Sequence, residues 1–142
     1  MSFDIKLVDG DFSIKNGDVV KVENQDKLIQ DILKICYVDV GSNPLQPWYG
    51  SYFSKSLIGS IIDQDIINNL GKMQLVKALE NLKSLQEAQL RTGQNMSLNE
   101  QLAAIVGISV DQNPNDPTMI IVKIKTLTKS LKTLYTEFEL SP

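Results

Sequence analysis

The chain contains no histidine, and Cys36 is its only cysteine. Serine-histidine-aspartate and cysteine-histidine catalysis therefore cannot be assembled within one copy. The same shortage excludes a zinc site of the usual Cys/His type and an internal disulfide. No run approaches the roughly 18 to 20 apolar residues of a membrane span, and Met1-Ser2-Phe3-Asp4-Ile5-Lys6 lacks the apolar stretch of a secretory leader. A cytosol-like site of synthesis and no membrane partner are expected. Basic residues are not in excess either: 14 Lys and Arg stand against 17 Asp and Glu, a net charge of −3. That balance gives no cationic footprint for a phosphate backbone, so nucleic acid is not an expected partner.

What is present is ordinary for a folded domain. Of 142 residues, 42% are hydrophobic and 22% charged, which suits one compact core. Phe3, Ile5 and Leu7 alternate with Asp4, Lys6 and Val8, and Phe12, Ile14, Val19, Val20 and Val22 resume the alternation after Asp9-Gly10 and Asn16-Gly17. Such turn pairs between alternating runs predict a small antiparallel meander over residues 3–22. Asp9, Asp11 and Asp18 lack the glycine and the terminal glutamate of an EF-hand loop and read as turn residues, so no metal is expected.

Asn24 is a candidate N-cap for a helix whose apolar face is Leu28, Ile29, Ile32, Leu33, Ile35 and Cys36. Cys36 on that face reads as a small buried hydrophobe. Between Asp39 and Ser51, two prolines and two glycines within ten residues predict an irregular loop that carries the sole tryptophan, Trp48, beside Tyr49. Those rings either plug the core or form an interface anchor. After a short segment at 54–62, a second helix is expected from about Asp63 to Leu90. Its stripe is Ile66, Leu70, Met73, Leu75, Ala78, Leu79, Leu82, Leu85 and Leu90, and Arg91-Thr92-Gly93 ends it.

Leu102–Val110 predicts a strand, and residues 111–117 a loop. Ile120, Val122 and Ile124 alternate with Ile121, Lys123 and Lys125, and Leu134, Thr136, Phe138 and Leu140 with Tyr135, Glu137 and Glu139, and they predict two more strands. The expected fold class is α+β: a small N-terminal β-meander, one shorter and one long helix, and a three-stranded antiparallel C-terminal sheet. If the last strand is an edge, another protein can add a strand to it.

The ordered set Asp4-Ile5-Lys6-Leu7, Asn16-Gly17-Asp18, Leu28-Ile29-Gln30-Asp31-Ile32-Leu33, the turn at Gly41, and Tyr49-Gly50-Ser51 resembles the baseplate wedge, or sheath initiator, family of contractile phage tails. Relatives of that family serve type VI secretion and other contractile injection machines. The resemblance spans nearly the whole chain as one domain, residues 1–142. Two family features differ here: Gly-Glu after the first helix is replaced by Gly41-Ser42-Asn43, and of a Glu-Pro-Arg motif entering the first C-terminal strand only Glu100 remains, before Gln101-Leu102.

The resemblance implies a structural role without cofactor or small-molecule substrate, in a virion tail baseplate assembled in the host cytoplasm. Residues 102–142 would offer strands to the first ring of sheath subunits, with Ile120, Val122, Ile124, Leu134, Thr136, Phe138 and Leu140 as the sheath-contacting positions. Glu100, Trp48 and Tyr49 would face neighbouring wedge and tail-tube-proximal proteins. Two alternatives belong to other classes. A glycoside hydrolase needs two carboxylates roughly 5 to 9 Å apart, one of them with a raised pKa; Asp39, Asp63, Asp65 and Glu100 are the candidates. An adaptor for a cytosolic partner outside any injection machine is the other.

Overall fold

The computed structural model describes residues 4–8, 11–52 and 64–140. Phe3, the Asp9-Gly10 turn, the segment at 54–62 and Asp63 lie outside the described residues, as do the side chains of Phe12, Asp65, Ile66 and Leu140.

The N-terminal region forms six two-residue strands: β1 Asp4–Ile5, β2 Leu7–Val8, β3 Asp11–Phe12, β4 Ile14–Lys15, β5 Asp18–Val19 and β6 Lys21–Val22. They pair antiparallel as β1 with β6, β2 with β3 and β4 with β5. The expected meander is therefore three short ladders. They meet at a closed triangle of backbone bonds: Lys6 N–H to Val20 O (2.7 Å), Val20 N–H to Ser13 O (2.8 Å) and Ser13 N–H to Lys6 O (3.0 Å). Asn16 and Gly17 both have positive φ, 54° and 82°, the conformation a two-residue hairpin requires.

Helix α1 spans Asn24–Tyr37. Its buried face is Leu28, Ile32, Ile35 and Cys36, with Ile29 and Leu33 packed beside them. Asn24 is not a side-chain cap. It stands at the helix start with φ 56°, and its Oδ1 accepts from the Ser97 hydroxyl at 2.9 Å, so it joins α1 to a distant loop.

Helix α2 spans Gln64–Arg91. Leu75, Ala78, Leu79 and Leu82 enter the core, whereas Met73, expected in the stripe, is exposed. The helix stops at Gly93, φ 89°, with Gly93 N–H bonded to Leu90 O and Gln94 N–H to Gln89 O, a glycine-dependent C-terminal motif.

The C-terminal sheet has the order β7-β8-β9, with β7 Leu102–Asn113, β8 Asp116–Thr128 and β9 Thr133–Leu140, all antiparallel. Most of the loop expected at 111–117 is strand. The chain reverses within Pro114-Asn115, where Asn113 Oδ1 accepts from Asn115 N–H at 2.9 Å. One sheet face carries Leu102, Val110, Ile120, Val122, Ile124, Leu134 and Phe138 into a single core shared with both helices. Helix α2 lies against β7, and α1 against β9 and α2.

Candidate functional site

The sheet has two edges, and they differ. Along β7 the pairing with β8 is interrupted between Leu102 and Ala104, between Ile105 and Gly107, and between Gln112 and Asn113. Bulges of this kind twist an edge and obstruct further pairing. β9 pairs with β8 without interruption, from Leu127↔Thr133 to Ile120↔Leu140.

In an antiparallel ladder, successive residues point their backbone groups alternately toward the partner strand and away from it. Thr128 N–H donates to Lys132 O at 2.9 Å. Continuing the alternation from that bond, Leu134, Thr136 and Phe138 bond to β8, while Thr133, Tyr135, Glu137 and Glu139 turn their N–H and C=O outward. An independent contact agrees: the Tyr37 hydroxyl donates to the outward carbonyl of Glu139 at 3.1 Å. Among the described residues nothing meets the outward groups of Thr133, Tyr135 and Glu137.

This edge opens into a groove of about 610 Å³ lined by Leu7, Gln30, Leu33, Lys34, Tyr37, Val38, Glu137 and Phe138. Tyr37 closes one end, its ring tilted 50° against Phe138 with centroids 4.9 Å apart. The wall from Leu7 is held in place by α1 through Gln30, which accepts from Leu7 N–H at 2.9 Å and donates to Ile5 O at 2.8 Å and Asp4 Oδ2 at 3.0 Å.

The positions expected to touch sheath subunits divide accordingly. Ile120, Val122, Ile124, Leu134, Thr136 and Phe138 are all buried in the chain's own core. A strand's side chains alternate between faces, and the helices cover this one. These residues shape the edge and leave outside contact to backbone groups and to the opposite face, where Lys123, Lys125, Tyr135, Glu137 and Glu139 are exposed. The Lys125 ammonium lies 5.4 Å from the Tyr135 ring centre. The sequence reading missed Tyr37 and Leu33 as groove residues. Leu33 lay on a predicted core face, and nothing local in the sequence marks Tyr37 as reaching β9.

Glu100 is fully buried, 0% exposed, and so cannot touch a neighbouring protein directly. Its Oε1 accepts from Ser97 N–H at 3.0 Å and completes a capping box of a short 3₁₀ turn, Leu98–Glu100. Buried Gln86 of α2 fastens that turn, donating to Glu100 O at 3.0 Å and accepting from Leu102 N–H at 2.8 Å.

The two loop aromatics part company. Tyr49 packs against the core, and burial, with Asp31, Cys36 and Asp4 nearby, pushes its hydroxyl up to about 12. Trp48 is 45% exposed, as are Tyr52 at 43% and Leu45 at 90%. Trp48 and Tyr52 share a groove of about 400 Å³ with Pro47, Gln74 and Lys77.

Of the four candidate acids, Asp39 and Glu100 are described. Asp39 forms a parallel bridge with Ser51 and Glu100 is enclosed; Asp63 and the side chain of Asp65 lie outside the described residues. Asp4 and Asp31 do share one cation, Lys34, which pairs with Asp4 and lies 3.9 Å from Asp31, itself 3.0 Å from Lys27. Partial burial raises the Asp4 carboxyl, but Lys34 and the hydrogen bonds from Ile5 N–H and Gln30 outweigh it and hold it below 3.8. Burial prevails at Asp31, which stands above 3.8 despite Lys27 and Lys34. Asp4 fastens the N-terminal ladders to α1 through Lys34 and Gln30, and Asp31 pairs with the lysines of its own helix. Among the described residues there is no group of three potential metal ligands, and no helix is long and apolar enough to cross a membrane.

No family model and no curated protein matches this chain. A solved structure does: that of a Geobacter sulfurreducens protein named "putative tail lysozyme", with a TM-score of 0.60 and 12% identity, covering 82% of this chain and 88% of that chain. At that identity the likeness is one of fold, and this chain shares the fold of a protein named for a tail.

Proposed function

We propose that the chain is a structural subunit of a contractile phage-tail baseplate. It joins the wedge to the tail and gives the first sheath ring an edge on which to add a strand. The observation that carries this reading is the uninterrupted outer edge of β9, with outward groups at Thr133, Tyr135 and Glu137 beside an apolar groove. A strand added there gains main-chain hydrogen bonds and buries apolar side chains together. The fold shared with a tail protein and the resemblance of the sequence to sheath initiators support the same assignment. The exposed cluster of Leu45, Trp48 and Tyr52 supplies a separate surface for wedge neighbours. Binding is then the activity, with no cofactor, small-molecule substrate or nucleic acid. The virion tail baseplate is the site of action, and assembly takes place in the host cytoplasm. A type VI secretion or other injection baseplate would use the same edge.

The test is capture of the purified sheath subunit by the wild-type chain and by Glu137→Pro, which removes an outward N–H and leaves the β8 pairing intact. Capture is expected to fall at least tenfold while the thermal transition is retained. Undiminished capture by the folded variant refutes docking at β9.

A further inference from the structure

We propose that the β9 edge accepts one extended segment of another protein in which apolar and basic side chains alternate, and that Tyr37 ends the added ladder at Glu137. This rests on the docking reading above and specifies the occupant.

The occupant is a strand because the edge offers a repeating donor and acceptor at every second residue. Its length follows from the ends of the edge. The turn before Thr133 closes one end: Thr128 N–H is bonded to Lys132 O, and Lys132 N–H donates to the Thr128 hydroxyl at 3.1 Å. At the other end the Tyr37 hydroxyl already occupies the outward carbonyl of Glu139, and its ring stands against Phe138. The outward groups between these limits belong to Thr133, Tyr135 and Glu137, a span that about five residues of an added strand would cover.

The side-chain pattern follows from the two faces. Alternate residues of an added strand face α1 and meet Leu33, Tyr37 and Leu7 in the groove, so they are apolar. The intervening residues lie on the outer face opposite Thr133, Tyr135 and Glu137, all exposed, with Glu139 one step past the end of the added ladder; Lys123 and Lys125 stand one strand further in, opposite Glu137 and Tyr135. Directly opposed unlike charges stabilise neighbouring strands and like charges destabilise them. Lysine or arginine therefore fits opposite Glu137, where Glu139 lies diagonal to it, and aspartate or glutamate does not.

The experiment uses the full chain and soluble peptides of about seven residues, one alternating valine with lysine and one alternating valine with glutamate. Binding is read by fluorescence anisotropy, and the footprint by amide hydrogen exchange. The lysine peptide is expected to bind at least tenfold more tightly than the glutamate peptide. It should protect the amides of Thr133, Tyr135 and Glu137 and leave that of Glu139 unchanged. Tyr37→Phe keeps the ring and frees the carbonyl. Protection should then extend to Glu139, and affinity should rise roughly three- to tenfold, the worth of about one added hydrogen bond.

Protection of Glu139 in the wild type as strong as that of Glu137 overturns the role of Tyr37. Equal binding of the two peptides overturns the charge pattern. If neither peptide protects any β9 amide but the purified sheath subunit does, the pattern proposed here is wrong and the docking reading stands. If the sheath subunit binds and protects none of them, both fail.

Discussion

Proline placed at adjacent positions of β9 tests the edge assignment without any partner. At Glu137 the amide points outward, as the alternation from Thr128 and the Tyr37 contact both require, and it meets no acceptor among the described residues. Glu137→Pro therefore removes no internal hydrogen bond. Its cost is the tightening of φ from an extended strand toward −65°, about 0.5–1 kcal/mol. At Thr136 the amide is part of the ladder opposite Ile124, and the residue is buried. Thr136→Pro deletes that bond and strands a buried carbonyl on the central strand, worth about 1–3 kcal/mol, on top of the same backbone restriction. The expected total is about 2–4 kcal/mol, several times the cost one residue later. Urea unfolding of the two variants, with matched slopes, measures the difference. If Glu137→Pro is as damaging as Thr136→Pro, β9 faces its neighbours the other way and the docking edge does not exist as described.

Gly50 has φ 117°, and a Cβ there would lie 2.4 Å from Val38 O; Gly50→Ala should lower stability by about 2 kcal/mol or more, read as a lower thermal midpoint. The hydroxyls of Thr126 and Thr136 are buried without a hydrogen-bond partner, so Thr126→Val and Thr136→Val should each stabilise by about 1 kcal/mol in urea titrations. Cys36 is 3% exposed, and burial pushes its thiol up to about 12; reaction with a disulfide reagent should be negligible in the native state and appear at the rate of opening. Asp4, depressed below 3.8, contributes stability that is complete above 3.8 and is lost as pH falls through its lowered folded value. Asp31, raised above 3.8, has the opposite sign, because its protonation favours the fold as pH falls from the raised value toward 3.8. In Lys34→Met both carboxyls should titrate at higher pH by NMR, and amide exchange at Lys6 and Val20 should quicken.

What could be read from the sequence was whatever a local period records. The helices, their apolar faces and the three C-terminal strands follow from spacings of 3.6 and two, since each element must bury one face. The long β7–β8 hairpin was not legible. Asp111 to Asp116 is rich in residues that break structure, yet a hairpin needs them only at its tip, and Asn113 binding back to Asn115 N–H confines the break to Pro114-Asn115. The N-terminal triangle left a signal that alternation hides: Asp4, Asp11 and Asp18, and likewise Lys6, Ser13 and Val20, stand seven residues apart. A chain that turns every seven residues cannot run a flat meander, and Lys6, Ser13 and Val20 are the three corners that bond to one another. The candidate site was half visible. Alternation identified β9 as a strand and left open whether it is an edge, and it could not separate residues that build an edge from residues that present one. A period of two gives Leu134, Thr136 and Phe138 the apolar face, and burial follows from that same fact. The groups left for another protein are therefore backbone amides and carbonyls, which every sequence contains, and the residue that limits them, Tyr37, is 102 positions away from Glu139. A docking edge is for this reason nearly silent in sequence. It is written in which residues are hidden, and only the fold tells where the hidden row stops.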